Sequence, residues 1–302
     1  MTLFRDFGGN MANLIRPFGA FLKLLYDFTG NYGWALVLFT IAVNLVLLPL
    51  NIKQQKSMGA MQKIQPKLNE IQKKYQYDKE KQSQEMMKLY QEYKINPMSG
   101  CLPMLIQMPI ILILYQAIYK PLTYMFGPSH GFTPEVVKAL VDKSTVLAGK
   151  AVTEISVFSY WDKLTDLLPS GAHAMNFNFF GLDLSQIPNF RVPSLLWIIP
   201  VVCGLTTYAL SALSMSQTKQ PQATDGNPTA NSMQSMQTFM PFMTAFFAFT
   251  LPAALGFYWS VSNVVRMGQQ VYLNHRFKNN TDGEPEKPQG TVHPSKKKKG
   301  RK

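Results

Sequence analysis

Asn44 stands inside WALVLFTIAVNLVLLPL, residues 34 to 50, a run whose other members are almost all apolar. An amide in such a run can donate and accept hydrogen bonds where water is scarce, which no aliphatic neighbour can do. Thr40 precedes it by one helical turn and Asn51 follows by two, on roughly the same face. Near the carboxyl end, Trp259, Asn263, Arg266 and Gln270 are spaced by four, three and four residues and so lie along one helix face. Thr206, Thr207, Ser211 and Ser214 give a third apolar stretch its own polar edge. Polar edges on several facing helices favour a hydrated cavity over isolated bonds. Asn44 has two readings, a cavity lining or an interhelical hydrogen bond worth about 0.6 kcal/mol. Arg266 also has two. A guanidinium at mid-membrane costs about 2.5–3.5 kcal/mol and so turns toward a wet or protein interior, or else it snorkels to the headgroups.

Other chemistries lack their residues. Of the four histidines, His130, His173 and His293 fall outside the candidate spans and His275 stands at the very end of the last one, and there is no HExxH, no GxSxG and no acidic pair within them. A hydrolase is therefore disfavoured. No GxxxxGK[ST] phosphate loop occurs, so no nucleotide motor is encoded. The two cysteines, Cys101 and Cys203, give neither metal-ligand spacing nor a disulfide framework. The expectation is a protein that is not an enzyme and carries no cofactor and no metal.

The elements that must position these residues are membrane spans. A hydrocarbon core of about 30 Å needs roughly 20 apolar residues, and the candidates are residues 31–52, 100–126, 193–215, 237–252 and 253–275. The last two form one apolar block that is broken by Pro252 and Gly256 into two short helices. Lys and Arg set the orientation, because they accumulate on the cytoplasmic side. Residues 53–96 carry ten Lys against five acids, and residues 276–302 carry nine Lys or Arg against three acids. Residues 127–192 carry five basic and six acidic side chains. Five crossings put both basic segments on one side, so the expectation is a multi-pass plasma-membrane protein with its amino terminus outside and its carboxyl terminus in the cytoplasm. The extreme amino terminus does not read as a cleaved signal peptide.

Between the spans, residues 1–30 repeat Leu14, Phe18, Phe21, Leu22, Leu25 and Phe28 at helical spacing, which fits an amphipathic helix in the outer interface or a mobile tail. Pro17 predicts that this helix begins near it. Residues 53–97 contain Met58, Met61, Ile64, Leu68, Ile71 and Tyr75, then Met86, Leu89, Tyr90 and Tyr93, with a turn at 76–79. That pattern predicts a cytoplasmic helical hairpin, apolar along its seam and basic outside. In 127–192 the spacing predicts a helix from Pro134 to Lys150, capped by Thr133, and another around Ser159 to Leu168. The stretch MNFNFFGLDLSQIPNF carries aromatics suited to the headgroup level. Residues 216–236 read as a polar cytoplasmic linker and 276–302 as a basic cytoplasmic tail. The tail suits anionic membrane lipids, or ribosomal RNA through phosphate contacts.

Four words then carry a resemblance: MQKIQPKLNEIQKKY (61–75), EMMKLYQEYKINP (85–97), GCLPMLIQMPI (100–110) and LPAALGFYWSVSNVVRMGQQ (251–270). Together and in this order they resemble the YidC/Oxa1/Alb3 family of membrane protein insertases, in its short bacterial form. The resemblance implies an all-α membrane protein of five transmembrane helices, with a cytoplasmic hairpin and a polar groove open to the cytoplasm. It implies insertion and folding of nascent membrane proteins, alone or with the Sec translocon, and contact with the ribosome through the tail and hairpin. The groove residues, read from these polar faces together with the resemblance, are Thr40, Asn44, Thr207, Ser211, Trp259, Asn263, Arg266 and Gln270. The hairpin residues are Met61, Gln65, Pro66, Met86 and Tyr90. One departure stands out. The family usually has an arginine where TIAVNLVLLPL places Asn44, and a frequent groove glutamine aligns with Thr207, while Trp259 matches. Arg266 is then the candidate to supply the missing positive charge. A solute transporter or channel is the competing reading, since intramembrane Arg and Asn also mark solute pathways, but the chain shows no inverted repeats.

Overall fold

The structure is a computed structural model that describes residues 2–95, 102–149, 151–188, 193–217, 239 and 241–277. Most of the linker read at 216–236 and most of the basic tail read at 276–302, namely residues 218–236 and 278–302, lie outside the described residues. What is described is mostly helical. Helix α1 is Thr2–Thr29, α2 Tyr32–Val46, α3 Leu48–Lys74, α4 Lys79–Glu92 and α5 Leu102–Tyr119. After a π-helical turn at Leu122–Phe126 come α6, Pro134–Ala148, and the short α7, Glu154–Val157. Strands β1 (Asn178–Phe179) and β2 (Leu182–Asp183) pair antiparallel. They are followed by α8, Ile198–Gln217, α9, Pro241–Thr250, and α10, Ala253–Phe277.

Among the described residues, Leu195–Ser214 is long and apolar enough to cross a membrane unaided, and α2 with α3 qualifies only as a bent pair. Pro109–Tyr119 and Pro241–Thr250 are shorter apolar helices. The single span expected over 31–52 is thus broken. Helix α2 stops at Val46 and α3 sets off at 54° to it. Pro49 explains the break, because it has no N–H for the preceding turn and its ring crowds the carbonyl four residues back, whereas it is tolerated in the first turn of α3.

Pro17 does not start a helix; it lies inside α1. The expected apolar stripe of α1 is also divided. Ile15 and Leu22 are buried, with Phe18 and Leu25 packed against the core, while Leu14, Phe21 and Phe28 are exposed. A Cβ on Gly19 would overlap the backbone of Tyr124, so the lack of a side chain there lets α1 lie directly on the π-helical turn after α5. Helix α1 therefore packs on protein along the side that carries Ile15, Gly19 and Leu22.

Residues 127–188 form a cap. Thr133 Oγ1 accepts from Val136 N and Pro134 opens α6, which ends at Gly149 in the left-handed region. The helix expected around 159–168 is instead a 3-10 turn, Phe158–Lys163. Its aromatics explain this. Phe158 and Trp161, three apart, stack with centroids 4.9 Å apart, a pairing that the three-residue period of a 3-10 helix brings onto one side. Each such ring removed from water is worth about 1.5–3 kcal/mol. Phe177 joins them and reaches the Tyr32 ring at 4.5 Å.

The cap also supplies acceptors to helix ends. Tyr32 N donates to Asn176 O (2.9 Å), Ala253 N to Gln186 O (2.8 Å) and Ala254 N to Leu184 O (2.9 Å). These satisfy orphan N–H groups in the first turns of α2 and α10, so one short segment holds both helices at the same end of the molecule.

Candidate functional site

Helix α10 runs between α2 and α8, and its small and polar residues set both contacts. Toward α8, a Cβ on Gly256 would come within 2.8 Å of Ile199 Cγ2, so glycine lets the helices approach closely. Two turns on, Asn263 Nδ2 donates to Thr207 Oγ1 (2.9 Å) and to Thr206 Oγ1 (3.3 Å). Thr207 Oγ1 in turn donates to Cys203 O at 2.7 Å. Toward α2, Asn44 Nδ2 donates to Thr40 O (2.8 Å) on its own helix and to Ser262 Oγ (3.4 Å) on α10. Thr40 Oγ1 donates to Leu36 O at 2.6 Å.

Gln269 spans the break between α2 and α3. Its Nε2 donates to Asn44 O at 3.1 Å and its Oε1 accepts from Asn51 Nδ2 at 3.4 Å. Asn44 keeps one unmet demand. Its Oδ1 is buried without a hydrogen-bond partner among the described residues, in a side chain only 2% exposed. Leaving a buried acceptor unpaired costs about 1–3 kcal/mol, so this oxygen is the place in the seam readiest to take a donor.

The residues picked from the sequence are therefore divided between two seams. Asn44 and Thr40 belong to the α2–α10 seam, and Asn263 and Thr207 to the α8–α10 seam. Arg266 lies four residues after Ser262 and three after Asn263, between the two rows, and is half-buried. Trp259, Gln270 and Ser211 are also half-buried, with Ser211 one turn past Thr207. Thr40, Asn44 and Asn263 are closed in rather than lying on an open cavity wall, Asn263 being 6% exposed; Asn44 and Asn263 bond to neighbouring helices, whereas Thr40 bonds only within α2. Sequence reasoning passed over Ser262 and Gln269. A signal for them existed: Asn44 and Asn51 are seven apart, as are Ser262 and Gln269, and parallel helices with equal polar spacing meet in register.

The hairpin residues meet elsewhere. Met61, Met86 and Tyr90 pack around a small core of Ile64, Leu68, Leu89 and Tyr93 between α3 and α4. Gln65 Nε2 donates to Asn69 Oδ1 at 3.5 Å along α3, and Pro66, inside that helix, is exposed. Lys67 Nζ sits 5.0 Å from the Tyr93 ring centroid and donates to its hydroxyl. The turn between the helices is capped by Asp78, which accepts from Lys81 N at 3.0 Å; that bond, first, holds its carboxyl below the usual range. Among the described residues no group of three or more His, Cys, Asp or Glu is placed to hold a metal ion.

Comparison with known proteins adds the wider setting. Residues 24–280 match the family described as the 60Kd inner membrane protein. The chain is 34% identical over 262 residues to "Membrane protein insertase YidC 2" of Listeria innocua, covering 85% of this chain and 69% of that protein. It is 30% identical over 269 residues to "Membrane protein insertase YidC" of Syntrophus aciditrophicus, covering 89% of this chain and 38% of that protein. With the protein of the same name from Oleidesulfovibrio alaskensis it shares 31% over 260 residues, 38% of that protein's length.

Proposed function

The chain belongs to the YidC family of membrane protein insertases, and from that premise we propose that it inserts nascent membrane proteins into the bilayer through the two polar seams along α10, without nucleotide hydrolysis, alone or with the Sec translocon. In this reading the chain crosses the membrane five times. Its cap lies outside, and the α3–α4 hairpin, the linker and the tail lie in the cytoplasm. The basic hairpin and tail face anionic lipid and the ribosome.

The observation that carries the proposal is the placement of Arg266 between a row that bonds α2 and a row that bonds α8. A substrate segment gains about 25 cal/mol per Å² when its apolar surface leaves water for lipid, and the barrier is the polar flank that must follow. The seam bonds suit that task because each is worth only about 0.6 kcal/mol in a membrane, so a polar flank or a water exchanges with them at little cost. The unpaired Asn44 Oδ1 accepts the first donor to arrive, and the Arg266 guanidinium attracts acidic flanks. The apolar segment meanwhile follows the exposed outer faces of α8 and α10, through Leu205, Tyr208, Val264 and Val271.

Site-specific crosslinkers at positions 44, 207 and 259, with a control crosslinker at Leu205, tested against a stalled nascent membrane protein, decide the matter. Adducts at all three are expected. Adducts confined to lipid-facing Leu205 would mean that the seams stay shut during insertion and the route lies outside them.

A further inference from the structure

The β1–β2 turn carries a feature that insertion does not use. Phe179 pairs with Leu182, so the loop between the strands is only Phe180 and Gly181, with φ of +51° and +81°. Two positive φ values in a two-residue hairpin loop describe a type I′ turn, whose first position favours Asn or Gly. A bulky aromatic in the left-handed region is an outlier there, and such strain marks a place where something other than the turn decides the residue. The turn is otherwise well made, since Asn178 Oδ1 accepts from Gly181 N at 2.9 Å. Phe180 gains little from burial within the protein, being 79% exposed.

Its surroundings say what covers it. The ring lies 4.6 Å from Phe179 and 6.4 Å from Trp34, itself 49% exposed at the start of α2. From Trp34 an exposed apolar stripe continues down α2 through Ile41 and Leu45. Leu195, Ile198, Val202 and Leu205 begin a second stripe along α8, and Gly181 stands beside Leu195, 3.9 Å from its Cδ2 to a Cβ built on the glycine. The tip thus stands at the head of two apolar stripes. It is also held rigidly, because Asn31 Nδ2 donates to Asn178 O at 2.8 Å and the cap bonds described above anchor both sides of the hairpin.

We propose that Phe180, with Trp34, inserts into the headgroup–acyl boundary of the outer leaflet and fixes the depth at which the cap sits over the polar seams. The proposal rests on the membrane-spanning disposition of α8 proposed above. An aromatic ring at this level is favoured because the interface accepts its flat apolar body without full dehydration of the backbone around it.

The test uses the full chain with Cys101 and Cys203 replaced by Ala, reconstituted in phosphatidylethanolamine–phosphatidylglycerol vesicles. Single cysteines at positions 180, 170 and 205 carry spin labels read with oxygen and a water-soluble nickel chelate. The expected result is a label at 205 in the hydrocarbon, a label at exposed Ser170 in water, and a label at 180 about 5–10 Å below the phosphate level. Position 180 as open to nickel as position 170, with 205 in lipid, overturns this proposal and leaves the spanning reading intact. Shielding of 180 from both reagents that grows with protein density also overturns it, in favour of contact with a second copy. A label at 205 that reads water would remove the spanning reading and this proposal together.

Discussion

At the scale of single residues, the seams rest on amides whose two ends do different work. Asn263 donates to two threonines of α8, and replacing it with Leu keeps its bulk while removing both bonds. At about 0.6 kcal/mol per bond the expected loss is about 1 kcal/mol, measurable as reduced resistance to denaturant in mixed micelles. The proposed function adds a demand beyond stability: Asn263→Leu should lower insertion of a substrate with a charged flank more than insertion of one with a neutral flank. Arg266 separates charge from packing more directly. In a depletion strain, with the protein inserted at normal level, Arg266→Lys should support growth and Arg266→Ala should not. Equal growth of the two would assign the guanidinium to the headgroups.

At the scale of elements, the α2–α3 break, a bend of 54°, is where the hairpin leaves the bundle, and Gln269 of α10 bonds both sides of it. Its substitution by Leu fills the same space without either bond. The measurement is a pulsed-EPR distance from a label at Tyr77, on the exposed hairpin turn, to one at Lys138 on α6. A narrow distribution is expected for the parent protein and a broadened one for Gln269→Leu, while Gln269→Glu, which keeps the acceptor for Asn51, should fall between. An unchanged distribution in Gln269→Leu would place the rigidity of the joint in Pro49 and the local backbone alone. Helix α1 obeys a simpler rule. Gly19→Leu puts a side chain where the Tyr124 backbone lies, and should expose the now buried Ile15 to labelling when carried as a cysteine.

At the scale of the whole molecule, the cap is joined to the bundle by Glu154, which accepts from Thr123 N (2.9 Å) and Thr123 Oγ1 (2.7 Å). Burial is the leading influence and pushes its carboxyl above the ordinary value of 4.5, while the Thr123 bonds pull the other way. A carboxyl raised in the folded state holds its proton where the unfolded chain has lost it. Its contribution is therefore complete below the unfolded value and is lost as pH rises through the folded one. Thermal unfolding followed from about pH 4.5 upward should show the cap loosening across that window, and Glu154→Gln, which cannot ionise, should flatten the dependence. A parent protein already flat across the window would mean that the Thr123 bonds offset burial fully.

Much of this molecule was legible in its residues. The apolar blocks, the hairpin period from Met61 to Tyr93 and the Thr133–Pro134 helix start follow from local rules, because periodicity, caps and prolines act within a few residues of themselves. The family follows from four words in order. Other features depended on what came to lie beside them. Asn44 and Asn263 look alike in the sequence, each an amide in an apolar helix, yet they serve different seams, because the side of α10 that meets α2 differs from the side that meets α8. Ser262 and Gln269 gained their partners only through the parallel register of two helices more than two hundred residues apart in the chain. The inward side of α1, the 3-10 turn at Phe158 and the strained Phe180 likewise arose from tertiary neighbours. Hydrophobic pattern determines that a segment is buried or spans; only packing decides against what, since apolar burial has no direction and hydrogen bonds do.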